Sequence, residues 1–175
     1  MITKTTGIAL TVRDFSEYKY ITVLTPHNGI IQVNSKTDIN LFSYYSLELW
    51  NKNEKYYLSG FDPIKSFINI NKNLVNTSLV FYFGELLLNS FHDEKTTDGI
   101  IKLYLISLHY LDTGEKSALQ IKRNFEYRLM CFAGFEPSAG ISHNFDTEQY
   151  VKDCLEVQKF KSLDFFYECV KLNNE

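Results

Sequence analysis

The histidines and cysteines are the side chains best suited to bind a metal ion or to act as nucleophiles. The four histidines lie far apart and show no HExxH spacing: His27, His92, His109 and His143. The three cysteines are odd in number and form no CxxC pair: Cys131, Cys154 and Cys169. This spacing predicts neither a disulfide framework nor a metal centre, and it favours scattered thiols.

The short motifs of hydrolases and nucleotide-binding enzymes do not occur in the sequence. The chain has no GxSxG and no GxxxxGK[ST], and Gly84 and Gly99 are isolated glycines. With no nucleophile and base pair, no phosphate loop and no metal set, we predict that the protein is not an enzyme and uses no cofactor.

Charge is divided unevenly along the chain, whose formal net charge is −3. Residues 1–71 hold seven basic and six acidic side chains, and residues 72–175 hold eleven basic and fifteen acidic ones, so the parts carry +1 and −4. Because phosphate contacts need positive groups, the N-terminal part is the better candidate for binding nucleic acid, with modest attraction.

The first sixty residues alternate between apolar and polar side chains, as half-buried strands do. Five such runs are predicted as strands: 8–13, 20–24, 30–33, 42–50 and 55–61. Asn28-Gly29 predicts a hairpin between the second and third. A small five-stranded sheet avoids exposed edges by closing, so we expect an oligonucleotide-binding (OB) barrel.

After residue 61 the pattern changes to helical spacing. Asp62-Pro63 is typical of a helix start and predicts a short helix over Pro63–Ile70 that closes the barrel. Further helices are predicted over about 74–91, from Thr96-Thr97-Asp98 to about residue 108, over Lys116–Phe132 with an end at Gly134 and Pro137, and from Thr147 to about Val170. Residues 138–146 are predicted to form a loop.

These elements predict an α+β chain with an OB-fold domain over residues 1–71 and an all-helical bundle of about four helices over residues 72–175. No window approaches the roughly 18 apolar residues of a membrane span, and the N-terminus lacks the apolar core of a signal peptide. We therefore expect a cytoplasmic protein.

Two segments resemble the RecO family of bacterial recombination mediators and DNA repair proteins. The first runs from Gly7-Ile8-Ala9-Leu10 through 13–17 to 19–29, similar to the Gly-Ile-Val-Leu, Asp-Tyr-Gly-Glu and Leu-Thr…Gly order that opens the family. The second, 125–130 with 134–137, is similar to the family's Phe-Glu-x-Arg-Leu-Leu helix and Gly-Tyr-x-Pro exit. The matching structural positions are Gly7, Glu17, Gly29, Glu126, Arg128, Gly134 and Pro137. The resemblance covers about residues 1–145.

The resemblance implies binding of single- and double-stranded DNA, strand annealing and loading of recombinase onto DNA coated by single-strand-binding protein (SSB), with RecR as partner. An OB groove holds the backbone with basic side chains and stacks bases on aromatic rings. The candidate DNA-binding residues are Arg13, Lys19, Lys36, Phe42, Tyr44 and Tyr45.

Each candidate also has a purely structural interpretation. Phe42, Tyr44 and Trp50 share a parity and alternatively form the barrel core. Arg13 and Lys19 are alternatively solvated strand residues. Arg128 alternatively forms an ion pair with Glu85 or Glu126 rather than contacting a ligand.

The sequence departs from the family pattern in three ways. The basic Lys-Gly-x-Arg-Arg stretch after the third strand is replaced by 34–40, with Lys36 and Asp38 as its charged residues. The four zinc-binding cysteines that many members carry have no counterpart in 138–143, so we expect no zinc, and the chain is shorter than typical members. An adaptor with the same fold, binding RecR or the SSB tail with little DNA affinity, is therefore the alternative function.

Overall fold

The computed structural model describes residues 2–90, 98–135, 146–157 and 159–173. Its N-terminal part contains five strands: β1 (Ile2–Phe15), β2 (Tyr18–Thr25), β3 (Gly29–Ser35), β4 (Ser43–Lys52) and β5 (Lys55–Ser66). They form a closed barrel in the order β1-β2-β3-β5-β4, with β1 pairing with β2 along one half and with β4 along the other. This is the strand order of an OB fold, so the predicted barrel is confirmed.

The barrel interior is filled by the inward-facing side chains of all five strands and of the segment before β4. Its buried members are Ala9, Ile21, Val23, Ile31, Val33, Ile39, Tyr45, Leu47 and Leu49. Gly7 lies where strands approach closely, because a Cβ there would come within 2.6 Å of Val23 Cγ1 and 3.0 Å of Leu24 O. Any larger residue at position 7 would push β1 away from β2.

The barrel is closed by a short seam between β3 and β5. These strands are parallel, and their register includes only the pairs Val33 with Tyr56 and Asn34 with Tyr57. The Asn34 side chain adds a bond by donating from Nδ2 to the Tyr56 carbonyl at 3.1 Å. The other four ladders are antiparallel, with at least seven residue pairs in each.

The helix predicted over Pro63–Ile70 is wrong. Residues up to Ser66 continue β5, and a single 3-10 turn follows at Ile70–Lys72. Pro63 pairs with Tyr45 beside a register shift between Tyr44 and Tyr45. A strand tolerates proline at such a bulge because a ladder hydrogen bond is already missing there, so Asp-Pro marked an irregular strand and not a helix start.

In the described residues, five α-helices follow the barrel: α1 (Leu74–Ser90), α2 (Asp98–Thr113), α3 (Ala118–Phe132), α4 (Thr147–Leu155) and α5 (Lys161–Leu172). The single helix predicted from Thr147 is in fact two, because Glu156 at the end of α4 adopts φ 54°. α3 begins after Ser117, which forms a capping box with Gln120. The loop predicted over 138–146 lies outside the described residues except for Asp146, the N-cap of α4.

The chain divides into two compact units: one contains the barrel, through Ile68, and the other contains Asn69–Ser90 and the described residues from Lys102 onward. The core of this helical unit includes a face-to-face stack of Phe83 on Phe125, with ring centroids 3.9 Å apart. Among the described helices, none is both long enough and apolar enough to cross a membrane.

Candidate nucleic-acid interface

A lateral row of residues crosses the outer face of the barrel. Residues directly opposite each other in a ladder share a face of the sheet. Arg13 is opposite Tyr20, Tyr20 is opposite Asn34, Asn34 is opposite Tyr57, and Tyr57 is opposite Trp50. All five strands therefore contribute one member, and three of the five side chains are aromatic.

The rings of this row and their neighbours form what we call the aromatic platform: Phe15, Tyr18, Tyr20, Trp50 and Tyr57. Their ring centroids lie 5.6 Å apart for Phe15 and Tyr20, 6.5 Å for Tyr18 and Tyr57, and 5.8 Å for Trp50 and Tyr57. Phe15, Tyr20 and Trp50 are exposed, and Tyr18 and Tyr57 are half-buried. The first two contacts are edge-to-face and the third is tilted, so ring surface remains open to solvent.

Two shallow clefts lie on the platform. The larger, of about 540 Å³, is bordered by Lys36, Trp50 and Phe61, and the smaller, of about 380 Å³, by Tyr20 and Lys55. Both clefts share Tyr18, Asn34 and Tyr57, which therefore form the wall between them. An extended ligand lying across this wall would have aromatic surface on both sides.

Two lysines cover platform rings. The Lys36 Nζ lies 5.3 Å from the centroid of Tyr18, and the Lys52 Nζ lies 5.4 Å from the centroid of Trp50. Both lysines are exposed, so their ammonium groups remain in contact with water. The surface thus combines flat rings with positive charge, which is the combination that single-stranded nucleic acid requires.

Lys19 is in a different situation from these two lysines. Its ammonium is bound by Asp38 and, at 2.9 Å, by Asp14. The hydrogen bonds from Asp38 and then Asp14 raise the pKa of Lys19, because both favour the charged form. A phosphate would have to compete with two carboxylates for this group, so the structure gives Lys19 less capacity for phosphate than the sequence suggested.

The stacking residues predicted from the sequence lie away from the platform. Tyr45 is 4% exposed inside the barrel, where its hydroxyl donates to the Asn40 carbonyl and its ring meets Phe61. Tyr44 and Phe42 are half-buried at the opposite end of β4 from Trp50, and the Tyr44 hydroxyl donates to Thr6 Oγ1. Trp50 lies six positions after Tyr44, about 20 Å along a strand.

The alternative interpretation of Phe42, Tyr44 and Trp50 as the barrel core is wrong, because none of them belongs to the buried core. Tyr45, Leu47 and Leu49 point into the core, whereas Tyr44 and Trp50 point outward. The alternation Tyr45-Ser46-Leu47-Glu48-Leu49 places Ser46 and Glu48 on the outer face, which was the signal available in the sequence. Tyr18, Tyr20 and Tyr57 were missed because their proximity depends on the register of β2, β3 and β5.

The family-motif residues of the barrel have structural positions. Glu17 is exposed in the turn between β1 and β2, next to Ser16 with φ 52°. Gly29 begins β3 opposite Thr25, whose hydroxyl donates to the Gly29 carbonyl at 2.9 Å, so the Asn-Gly hairpin is confirmed.

Glu126 is the centre of a buried polar network in the helical unit. This fully buried carboxylate accepts hydrogen bonds at 2.6 Å from Tyr82 and Thr147 and lies 2.8 Å from the Lys122 ammonium. Burial and the nearby Glu126 raise the pKa of Tyr82, so its hydroxyl stays protonated and donates. Glu148 is also within 3.3 Å of Lys122. The network joins α1, α3 and α4.

Arg128 and Gly134 lie on the outer face and at the end of α3. Arg128 is exposed and donates to Asn124 Oδ1 at 3.2 Å, so the predicted ion pair with Glu85 or Glu126 is not present in the described residues. Gly134 has φ 89°, its N–H donates to the Cys131 carbonyl, and the next N–H donates to Met130, which is a Schellman motif. Pro137 lies outside the described residues.

Within the parts of the chain that the structure describes, no three His, Cys, Asp or Glu side chains are grouped so that they could hold a metal ion. Lys19 with its two aspartates and the Lys122 network both have their charges compensated by protein groups. Among the described barrel residues, the aromatic platform combines exposed rings with lysines that form no ion pair, and it is therefore our candidate surface.

The barrel, its strand order and the helices that follow define an OB-fold protein with a helical second unit. Residues 71–140 match the family described as "Recombination protein O C terminal". Similar curated proteins, each named DNA repair protein RecO, come from Caldicellulosiruptor bescii (31% identical over 146 residues), Acetivibrio thermocellus (25% over 145) and Dehalococcoides mccartyi (27% over 129). These matches cover 75%, 77% and 68% of this chain. The chain belongs to the RecO family of DNA repair proteins.

The matches cover only part of each relative. The aligned residues span 58% of the Caldicellulosiruptor bescii and Acetivibrio thermocellus proteins and 51% of the Dehalococcoides mccartyi protein. The second sequence segment that resembled the family, 125–130 with 134–137, falls inside the matched range 71–140. Family membership thus comes from the helical part as well as from the barrel.

Proposed function

We propose that this RecO-family protein acts in DNA repair by binding single-stranded DNA on the aromatic platform, and that it assists strand annealing and recombinase loading in homologous recombination. The observation that carries the proposal is the row in which Tyr20, Tyr57 and Trp50 are brought together across the barrel. RecR, the SSB tail and double-stranded DNA are proposed as further partners from the family resemblance alone.

Stacking is expected to contribute more to affinity than charge does. Each base stacked on an aromatic ring contributes about 1–3 kcal/mol. Lys36, Lys52 and Lys55 are the lysines that border the platform or cover its rings. Three phosphate contacts on a single strand would give a slope of log K against log salt of about −2. We therefore expect moderate affinity with a shallow salt dependence.

The preference for single strands follows from the rings. A base can lie on Tyr57 or Trp50 only when its face is not already stacked in a duplex. The ring surface of the platform is spread over neighbouring strands rather than concentrated on one protruding side chain. Duplex DNA should consequently bind through phosphates only and more weakly than a single strand.

Fluorescence anisotropy with a labelled oligothymidylate at low and moderate salt tests the proposal. The chain has one tryptophan, Trp50, so quenching of its emission by an unlabelled oligonucleotide reports contact with the platform directly. We expect binding with quenching and a weaker signal for duplex of the same length. Absence of binding at both salt concentrations would remove the DNA role.

An adaptor role is the second candidate, favoured by the binding of Lys19 to Asp14 and Asp38 and by the acidic balance of residues 72–175. In this role the fold binds RecR or the SSB tail with little DNA affinity. The double variant Arg13→Glu/Lys36→Glu separates the two candidates. If it abolishes DNA binding while a pull-down of RecR and an SSB tail peptide is unchanged, the adaptor-only role is excluded.

The proposed role in recombination is accompanied by a proposed location in the cytoplasm, where chromosomal DNA is accessible. We also propose 1–71 and 72–175 as the domain boundaries. Limited proteolysis followed by mass spectrometry would test these boundaries, with cleavage expected near residue 71 and not within β4 or α1.

A further inference from the structure

Lys36 and Lys52 differ from the lysines of the barrel that are paired with carboxylates. Lys19 is paired with two aspartates, and Lys4 lies 2.8 Å from Glu48. In the described residues, neither Lys36 nor Lys52 forms an ion pair with a carboxylate, and each lies over a platform ring instead. Lys36 and Lys52 can therefore leave their rings without breaking an ion pair.

Both rings that these lysines contact border open space. Tyr18, Lys36 and Trp50 all line the larger cleft of about 540 Å³. A base that stacks on the Tyr18 face under Lys36, or on the Trp50 face under Lys52, would have to take the place of an ammonium group. A base stacked on an aromatic ring is stabilised more strongly than an exposed cation on the same ring, so the base displaces the ammonium.

The displaced ammonium can bind a phosphate in place of the ring. Lysine has a flexible four-carbon stem, and its ammonium is a strong point-charge donor to phosphate. A nucleotide stacked on Trp50 carries a phosphate next to its base. The flexible Lys52 side chain, whose Nζ lies 5.4 Å from the Trp50 centroid, would be able to reach this phosphate. One nucleotide therefore supplies both the base that stacks on the ring and the phosphate that binds the ammonium.

We propose that Lys36 and Lys52 exchange partners when single-stranded nucleic acid binds, moving from the faces of Tyr18 and Trp50 to the phosphates of the nucleotides that stack there. This inference rests on the proposed function and adds a positioning role for the two lysines. In the free protein they cover apolar ring surface, and in the complex they neutralise the backbone.

The barrel contains a matched control in Lys65. Its Nζ lies 5.1 Å from the centroid of Phe67, which is 1% exposed. The distance is similar to those of Lys36 and Lys52, but no base can reach a buried ring. Lys65 should therefore keep its ring contact when DNA binds.

Reductive ¹³C-methylation makes the exchange visible, because dimethyl-lysine keeps its charge and its methyl signals are shifted upfield when they lie over a ring. The whole chain is methylated, its binding of an oligothymidylate of about 12 nucleotides is confirmed by anisotropy, and the signals are assigned with Lys36→Arg, Lys52→Arg and Lys65→Arg. We expect the Lys36 and Lys52 signals to be upfield in the free protein and to move to ordinary positions on saturation, while the Lys65 signal stays.

The outcomes separate the two proposals. If the oligonucleotide binds but the Lys36 and Lys52 signals stay upfield, or if they were never upfield, the exchange is wrong and the DNA role stands. If the oligonucleotide does not bind at all, both the exchange and the DNA role are wrong. A shift of all three signals would point to a general rearrangement and would also overturn the exchange.

A variant gives an independent readout. Lys52→Met keeps the stem but removes the charge, so one phosphate contact is lost and the salt slope falls by about 0.7. At high salt, where phosphate contacts contribute little, Lys52→Met should bind at least as tightly as the unmodified protein, since no cation has to leave Trp50. Lys65→Met should leave both quantities unchanged. An equal loss of affinity for Lys52→Met at every salt concentration would contradict the exchange.

Discussion

In the barrel, Lys36 and Lys52 hold their ammonium groups at the surface over aromatic rings, whereas in the helical unit Lys122 is 4% exposed and is bound by Glu126 and Glu148. The first pair can change partners without leaving a buried charge unpaired. Lys122 cannot, because removing either of its partners would leave a charge unpaired and away from water. The same residue type thus has a proposed role in recognition in the barrel and a structural role in the helical unit.

Two sets of aromatic residues show a similar difference. In the helical unit Phe83, Phe125 and Tyr104 are fully buried and pack on one another. In the barrel Trp50 and Tyr20 keep about two fifths of their surface exposed. Large rings that remain exposed in a row are a feature of binding surfaces, and buried rings are a feature of cores. This contrast can be tested in both units.

The largest effect is expected from Lys122→Met. It leaves the fully buried Glu126 without its cation, and breaking a buried pair in this way costs about 3–5 kcal/mol. Urea denaturation should show a free energy of unfolding lower by about this amount. Lys161→Met, an exposed position at the start of α5, is the control and should change stability little. A loss below about 1 kcal/mol would mean that the network is not the anchor of the helical unit.

The double variant Lys122→Met/Glu126→Gln sharpens this prediction. Removing both charges avoids a stranded ion, so much of the lost stability should return. If the double variant is as unstable as the sum of the single variants, the two residues act independently.

The next largest effect is expected from Trp50→Ala, and it should appear in binding and not in stability. Loss of one stacking ring should weaken oligothymidylate binding by about 5- to 150-fold, which corresponds to about 1–3 kcal/mol. Phe165→Ala is a matched control, because Phe165 is 44% exposed in the helical unit and Trp50 is 43% exposed. Anisotropy titrations of both variants decide the matter, and equal affinities would place the ligand elsewhere.

A smaller effect, and an increase in affinity, is expected from Asp38→Asn. The substitution removes one of the two carboxylates that bind Lys19 and leaves this lysine freer to contact phosphate. Because an exposed ion pair contributes little, the gain should be at most about 5-fold at low salt. Glu17→Gln removes the same charge from the nearby turn without an ion pair to Lys19, and it should have less effect. Equal gains for both variants would indicate a general charge effect.

The smallest effect is expected in the acid limb of stability. Burial opposes ionisation of Glu148, but hydrogen bonds from Lys152 and Tyr167 and the charge of Lys122 outweigh it and lower the pKa of this carboxyl. A carboxyl with a lowered folded-state pKa contributes stability above its unfolded pKa, about 4.3, and loses it as pH falls through the lowered value. Unfolding free energies measured from neutral pH to below pH 4 should therefore fall less steeply for Glu148→Gln. An identical slope in both proteins would argue against this linkage.

Local patterns in the sequence were sufficient to predict the five strands, the Asn28-Gly29 hairpin and the end of α3 at Gly134, because alternation, turn residues and caps act within a few positions. Asp62-Pro63 misled the prediction because the same dipeptide suits a helix start and a strand bulge. The break at Glu156 was missed because this non-glycine residue adopts a left-handed conformation that its sequence does not announce.

The candidate surface was harder to predict than the fold. Of the candidates named from the sequence, Arg13 and Lys36 lie next to the platform, opposite Tyr20 and over Tyr18. The rings themselves depend on the register of four ladders, and a shift of one residue would turn each of them inward. The pairing of Lys19 with Asp38 likewise joins residues from separate segments of the chain.

The seam between β3 and β5 has a consequence for how ligand and barrel influence each other. It is the shortest ladder of the barrel, and Asn34 and Tyr57, the residues that form one of its two pairs, are also members of the outer row. A single strand lying along the row would touch β2 on one side of the seam and β4 on the other. The bound nucleic acid would then connect the two sides of the seam, so that tighter binding would also make the barrel harder to open between β3 and β5.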